Sequence, residues 1–360
     1  MILIIPCAGE STRFSTSRPK WLLTQPSGLL MVTESVLALD LNEVERIIVV
    51  CRRDHVTGVD LDEVADSFRL AGVNAHVEFS ILDAPTASQP ETVSLVARSL
   101  ERSTPIFIKD CDNSFSCKIQ PGNIVCLGDA SKLKHDIESK SYCRVGPHGE
   151  IETIAEKRVI SDRFCVGGYG FERAGDFIDA FDQIKSQPNI YISHIIDWMM
   201  MSGERFMSQI CDHYMDWGTM AAWMSHKKKY ATLFVDIDGV VLTNGSAYFE
   251  RKWRDSTPLG DNVKVLRALS ESGRCQIIYT TARPEALREV TVRQLRDAGL
   301  TPDNLIMGLL HAHRRIINDH SATNPYPSCT SVSVSRDAEE LRSFMSDILD
   351  DNDAGAVFDK

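Results

Sequence analysis

Short apolar runs punctuate the first half of the chain: Ile2–Ile5, IIVVC at 47–51, PIFIKD at 105–110 and NIVCLGD at 123–129. Runs of this length, separated by stretches of helical character, predict buried strands that alternate with helices. The implied architecture is α/β, with a mostly parallel sheet flanked by helices. Ligands of such sheets sit beyond the carboxyl ends of the strands, which singles out the turns after Ile5 and Ile108. A KKK tract at 227–229 interrupts the pattern, and directly after it the pattern restarts. The second half predicts a strand over LFVD (233–236), a helix around 261–272 and a strand over QIIYT (276–280). A helix over EALREVTVRQLRDAGL and a short apolar element near RRIIND follow. The chain therefore reads as two domains, 1–226 and 230–348. The last stretch, LDDNDAGAVFDK (349–360), is acidic, lacks apolar periodicity and reads as a solvated tail.

Length supports that division, because 360 residues exceed what one core usually organises. Hydrophobic residues at 43% and charged residues at 25% are ordinary for a globular protein. A formal net charge of −11 argues against a nucleic-acid binder, which needs a clustered basic face. Ten cysteines without a C-x-x-C pair suggest free thiols in a reducing compartment. The N-terminal MILII meets Pro6 at once and lacks the basic start of a signal peptide. No apolar stretch approaches the ~20 residues that span a bilayer. A cytoplasmic protein without membrane insertion is the expectation.

The segment IIPCAGESTRFSTSRPKW runs from a strand into a glycine turn, followed by Arg13 and Lys20. Backbone N–H groups of such a loop, at Gly9, Ser11 and Thr12, can approach phosphate oxygens while Arg13 and Lys20 supply positive charge. The segment resembles the signature loop of the sugar nucleotidyltransferases, Gly-x-Gly-Thr-Arg followed by Pro-Lys, with Ser11 at the second glycine. Further segments follow in that family's order over roughly 1–225. PIFIKDCDNSF resembles the strand that ends in a metal-binding Asp, giving Asp110 and, as second candidate, Asp112. IETIAEKRV resembles the Glu-Lys pair that contacts the sugar phosphate, giving Glu156 and Lys157. GGYGF at 167–171, with Gly168, resembles the wall of the sugar pocket, and YMDWGT supplies Asp216 as a second metal carboxylate. Singly, Asp110 would also fit a helix cap and Glu156-Lys157 an exposed ion pair; their order carries the reading.

The resemblance implies a Rossmann-like mixed-sheet domain that transfers a nucleotidyl group from a nucleoside triphosphate to a sugar or polyol phosphate, with Mg²⁺ and release of pyrophosphate. The residue types suit that chemistry. Attack of a phosphate oxygen on the α-phosphorus gathers negative charge, so neutralisation and in-line alignment are the main tasks. Two carboxylates holding Mg²⁺, with Arg and Lys on the leaving group, meet them.

LFVDIDGVV places two carboxylates two residues apart just past a strand. The arrangement resembles the first motif of the haloacid dehalogenase superfamily of phosphatases, with Asp236 as nucleophile and Asp238 as acid and base. QIIYTTARPE resembles the second motif, in which Thr281, or alternatively Thr280, binds the phosphoryl group beside Arg283. RRIINDH resembles the acidic fourth motif, in which Asp319 completes a Mg²⁺ site with Asp236, Asp238 and the main-chain carbonyl of Ile237. The third motif normally supplies a Lys; none lies between Thr281 and Asp319, and Arg314 or Arg315 stands in for it. About forty residues separate Asp238 from Thr281, too few for a large inserted cap. The resemblance implies a Rossmannoid domain with little or no cap. His311, His313 and His320 lack convincing metal spacing.

Together the two resemblances imply a bifunctional enzyme, a nucleotidyltransferase fused to a phosphatase, that makes a nucleotide-linked donor for surface polysaccharide. A silent phosphatase-like domain, or a non-catalytic ligand binder, is the alternative.

Overall fold

A computed structural model of the chain describes residues 1–9, 18–133, 137–249, 251–319 and 329–349. Its internal contacts divide it into two units, Met1–Trp223 and Met224–Lys360. The acidic tail from residue 350 onward lies outside the described residues.

The N-terminal unit contains Ile2–Pro6 (β1), Leu39–Asp40 (β2), Arg46–Arg52 (β3), His76–Leu82 (β4), Ile106–Lys109 (β5) and Asn113–Lys118 (β6). Ile124–Asp129 (β7), Tyr142–Val145 (β8), Ile151–Ala155 (β9), Arg163–Phe171 (β10), Met207–Ile210 (β11) and Asp212–Asp216 (β12) follow. The main sheet runs β11, β7, β10, β5, β1, β3, β4, with β8 and β9 added beside β10. It is mixed: β1, β3, β4 and β5 are parallel, whereas β10 runs antiparallel to both β5 and β7. A smaller sheet, β12, β6, β2, extends from the turn after β5.

The continuous apolar runs are explained by burial on both faces. Ile2 and Ile4 of β1 and Ile48 and Val50 of β3 join one core, beneath helices Gln89–Ala97, Ala174–Ile184 and Ile192–Met201. Leu3, Ile5, Ile47, Val49 and Cys51, the alternate positions, join the other core with Trp21, Phe107, Phe115 and Phe164. Lys109 lies two residues beyond Phe107 on the same face of β5, so it enters that second core fully buried.

The C-terminal unit has a three-stranded parallel sheet of Ala231–Asp236 (β13), Cys275–Thr280 (β14) and Leu305–Ile306 (β15), in that order. Its core joins Val235, Ile237, Ile277 and Tyr279 to Val263, Leu266 and Leu269 of the helix Gly260–Glu271. The apolar element expected near RRIIND forms no strand. Leu305–Ile306 already takes the register beside Tyr279 and Thr280. Residues 307–319 then run irregularly, with Ile317 96% exposed.

Asn262, on that helix and almost fully buried, ties the unit together: its amide donates to the carbonyls of Val240 and Ala338 at 2.8 Å each, and its oxygen accepts from the amide of Leu341 at 3.1 Å. Asn262→Ala strands two carbonyls and one N–H, at a cost of about 2 to 4 kcal/mol. We expect a lower midpoint for unfolding of this unit in urea; an unchanged midpoint would contradict the assignment.

Candidate active sites

In the N-terminal sheet β1 leads to β3 on one side, while β5, reached after β4, lies on the other. The strand order reverses between β1 and β5, and their carboxyl ends open a crevice there. Cys7 follows β1 with its amide on the carbonyl of Val50 at 2.7 Å. Gly9 is exposed, with open space where a Cβ would stand. Ser11, Thr12 and Arg13 lie outside the described residues. The chain is described again from Arg18, and Lys20 opens a short 3₁₀ turn anchored by buried Trp21 and Leu22.

Three acidic side chains meet beyond β5. Lys20 donates to Asp112 at 2.5 Å, and Lys140 donates both to Asp216 and, at 2.8 Å, to the Tyr214 hydroxyl. The Trp217 amide reaches the carbonyl of Asp112 at 2.8 Å, and the Gly218 amide reaches Asp216 at 2.7 Å. A Cβ on Gly218 would stand 3.0 Å from an oxygen of Asp216 and 3.2 Å from one of Asp112. Glycine thus keeps the space between the two carboxylates open. Gln89, the first residue of its helix, donates to Asp110 at 2.5 Å. Burial first, then the charges of Asp216, Asp112 and Asp110 together, push the Tyr214 phenol well up. Their oxygens do not all lie within 4.8 Å of one another. The donor set, hard carboxylate oxygens only, nevertheless suits Mg²⁺ once the lysines exchange partners.

Lys109 organises the turn that carries two of these acids. Its ammonium donates to the carbonyls of Asp110 and Asn113 at 2.6 and 2.9 Å and to Asn113 Oδ1 at 2.7 Å. It also lies 4.8 Å above the Phe115 ring. Burial pushes Lys109 down to about 8, and burial, reinforced by Asp112, pushes Asp110 up to about 6.

Glu156 accepts from the hydroxyls of Ser141 and, at 2.6 Å, Ser193. Lys157 has a left-handed φ of 51° and donates to the Tyr191 hydroxyl at 2.5 Å. Asp110 and Glu156 both act on the buried Tyr169 phenol, so they flank the same part of β10. Gly168 faces elsewhere: a Cβ there would stand 2.7 Å from the Phe115 ring and 3.1 Å from Cys126, inside the core. The glycine next to the acids is Gly167, where a Cβ would meet Asp110 at 2.4 Å. Gln89, Lys140 and Tyr214 were missed by sequence reasoning, whereas Gly167 lies within the GGYGF segment. Gln89 sits in LDAPTASQPETV with its N-cap Ser88, a signal for a helix start; Lys140 carries none.

In the C-terminal unit Asp236 ends β13 and Asp238 lies in the following turn. Arg314 reaches Asp236 at 3.1 Å. Thr281 donates to Asp238 at 2.7 Å, whereas Thr280 turns to the Val235 carbonyl at 3.2 Å. Arg283, fully buried, donates to Asp238 from Nε at 2.9 Å and from Nη2 at 2.8 Å, and to Gln294 at 2.6 Å. The Ile237 carbonyl accepts the amides of Val241 and Leu242 at 3.0 and 2.9 Å, because the chain turns tightly here. Arg315 and Asp319 are exposed on the irregular segment, and Asp319 does not close a three-carboxylate set with Asp236 and Asp238. His311 and His313 are exposed, and His320 lies outside the described residues. Asp337 is an addition that no motif announced. Its amide donates to the Gly239 carbonyl at 2.9 Å, and its carboxylate accepts from the Asn244 amide at 2.6 Å.

The pKa of Lys109 gives a signed test. An unfolded lysine stays protonated to about 10.5, while the folded one releases its proton above about 8. Across that window the unfolded state binds more protons, so this residue's contribution to stability rises with pH. Against Lys109→Met, the wild type should gain about 2 kcal/mol between pH 7.5 and 10, read by chemical denaturation of both proteins. A constant difference would refute the buried, weakened ammonium.

Comparison with family models finds no match, and neither does comparison with curated proteins. Solved structures do match. A nucleoside-diphosphate-sugar pyrophosphorylase from Vibrio cholerae RC9 is similar at 19% identity and a TM-score of 0.53, covering 63% of this chain and 100% of that one. The inositol-1-phosphate CTP transferase from T. maritima gives 16% identity and 0.49, covering 63% and 96%. The matched share is comparable to that of the N-terminal unit. At this identity the likeness establishes the fold alone: over 63% of its length the chain folds like the Vibrio protein.

Proposed function

We propose that the N-terminal unit is a Mg²⁺-dependent nucleotidyltransferase that joins a nucleoside triphosphate to a sugar or polyol phosphate and releases pyrophosphate. The observation that carries this is the meeting of Asp110, Asp112 and Asp216 with Lys20 and Lys140 at the crevice between β1 and β5. The pyrophosphorylase named for the Vibrio neighbour supports it at the level of fold. Mg²⁺, held by Asp110 and Asp216 with Asp112 beside them, would neutralise charge on the triphosphate. The lysines then have a second role. In the free protein they hold Asp112 and Asp216; when triphosphate binds, each ammonium can pass from carboxylate to phosphate oxygen without moving far. Glu156 and Lys157 would position the acceptor phosphate. Its oxygen forms the new bond to the α-phosphorus as the bond to pyrophosphate breaks, and no protein base is needed.

For the C-terminal unit we propose hydrolysis of a phosphate monoester, with Asp236 attacking phosphorus and Thr281 and Arg314 holding phosphoryl oxygens. Asp238 would protonate the leaving alcohol and then take a proton from the water that cleaves the aspartyl-phosphate, freeing Asp236 and inorganic phosphate. The chain would then prepare a nucleotide-linked sugar or polyol donor for surface polysaccharide from a bisphosphorylated precursor. One observation favours a second reading, a silent phosphatase-like unit: both oxygens of Asp238 are occupied by Thr281 and buried Arg283, and Asp236 is paired with Arg314.

With Mg²⁺, a panel of nucleoside triphosphates and sugar and polyol phosphates, the full chain should release pyrophosphate. Asp216→Asn should lower that rate on the order of a hundredfold with an unchanged circular dichroism spectrum. Absence of pyrophosphate with every common triphosphate defeats the transferase reading. Asp236→Asn should abolish inorganic phosphate release from bisphosphates and leave pyrophosphate release intact. A wild type that releases no phosphate establishes the silent unit instead.

A further inference from the structure

Cys211 lies far along the sequence from Cys117 and Cys126, yet the three sulfurs all fall within 4.8 Å of one another, with Cys117 and Cys126 3.8 Å apart. Among the described residues no other three Cys, His, Asp or Glu side chains meet this closely. The backbone explains the convergence. In the parallel pairing of β11 with β7, Gln209 stands beside Cys126, so Cys211 two residues on shares the face of Cys126. The Cys211 amide still bonds the carbonyl of Leu127 at 2.8 Å. The chain then crosses into the small sheet, where Asp212 pairs with Ser116 of antiparallel β6. One step back along that register, Cys211 falls opposite Cys117. The cluster therefore sits where the two sheets join.

We propose that these three cysteines form a thiolate site for a thiophilic divalent cation, Zn²⁺, that staples the two sheets of the N-terminal unit together. Tetrahedral Zn²⁺ takes bonds of about 2.3 Å to sulfur, which sets sulfurs about 3.8 Å apart. The observed separations need only a small contraction to match. Cys126 and Cys211 are buried, while Cys117 is half-buried and leaves a side from which the ion and a fourth, water ligand can enter. Glycine at 168 lets the backbone of β10 approach to where a Cβ would stand 3.1 Å from the Cys126 sulfur. The sulfurs bind as thiolates, and whatever thiol protons they carry pass to solvent. One negative charge then remains on the centre, and the buried ammonium of Lys109, close enough to act on both Cys117 and Cys126, balances it. The Cys211 thiol also contacts the Gln209 carbonyl at 3.4 Å, an interaction that ion binding would displace. Cys143 and Cys165, 3.7 Å apart, form a pair without a third sulfur and serve as a control.

The full chain, reduced and stripped of metal, is titrated with Co²⁺ as the optical stand-in for Zn²⁺. Thiolate-to-cobalt charge-transfer absorption, which carboxylate sites do not produce, should appear at one equivalent, and Zn²⁺ should displace it. Cys117→Ser, the least buried position, should weaken cobalt binding roughly tenfold or more and lower the absorption by about a third, because one thiolate of three is lost. Cys143→Ser should leave it unchanged. A wild type without thiolate-to-cobalt absorption overturns the proposal, as does absorption unaltered in Cys117→Ser. A Cys117–Cys126 disulfide in the protein as purified, found by peptide mapping, would replace the ion site with a redox pair. These readouts are independent of nucleotidyl transfer.

Discussion

The N-terminal unit depends on one buried ammonium. Lys109 ends a central strand and points where an apolar residue would otherwise stand, fully removed from solvent. Burying an unpaired ammonium is costly, so its three donors must find acceptors, and they find them in the turn Asp110–Asn113. The turn is thereby held in one conformation. It begins the small sheet, aims Asp110 at Gln89 and Gly167, and sets Asp112 beside Lys20. Lysine here trades backbone freedom for a fastened turn and brings positive charge under an acidic crevice.

A buried cation organises the other unit as well. Arg283 has no exposed surface and spends its donors on Asp238 and Gln294. Gln294 in turn donates to the carbonyls of Trp253, Arg254 and Ser256. The chain from the Asp-x-Asp turn, the strand end at Thr281 and the segment 253–256 thus share one hydrogen-bond network. Such networks have a single satisfied arrangement, which gives the carboxylates a defined geometry. The same network limits Asp238, because a donor must leave before it can exchange a proton with substrate.

Local signals in the sequence were sufficient wherever short-range physics decides. Strands buried on both faces must be apolar at successive positions, so Ile2–Ile5 and IIVVC were legible as central strands. The Asp-x-Asp-Gly turn was legible because few residue types tolerate the left-handed conformation that Gly239 takes there, with φ of 93°. Gly168 shows where that reasoning stops. In GGYGF several glycines could line a pocket, and the backbone of β10, whose register shifts between Cys165 and Tyr169, decides that Gly167 meets Asp110 while Gly168 packs on Phe115. The apolar letters of RRIIND failed in a related way, since apolar residues form a strand only where a sheet edge and a core receive them, and Ile316 and Ile317 stay exposed.

By itself the sequence determined the alternation of strands and helices, the restart after residues 227–229 and the presence of acidic residues at strand ends. These follow from backbone periodicity and from residue chemistry, which act over a few positions. Only the tertiary structure decided which lysine holds which carboxylate, that Thr281 rather than Thr280 faces Asp238, and that Cys117, Cys126 and Cys211 converge. Those outcomes depend on strand register and on the crossing between sheets. Register is set by the summed packing of residues distant in sequence, and no local pattern records it.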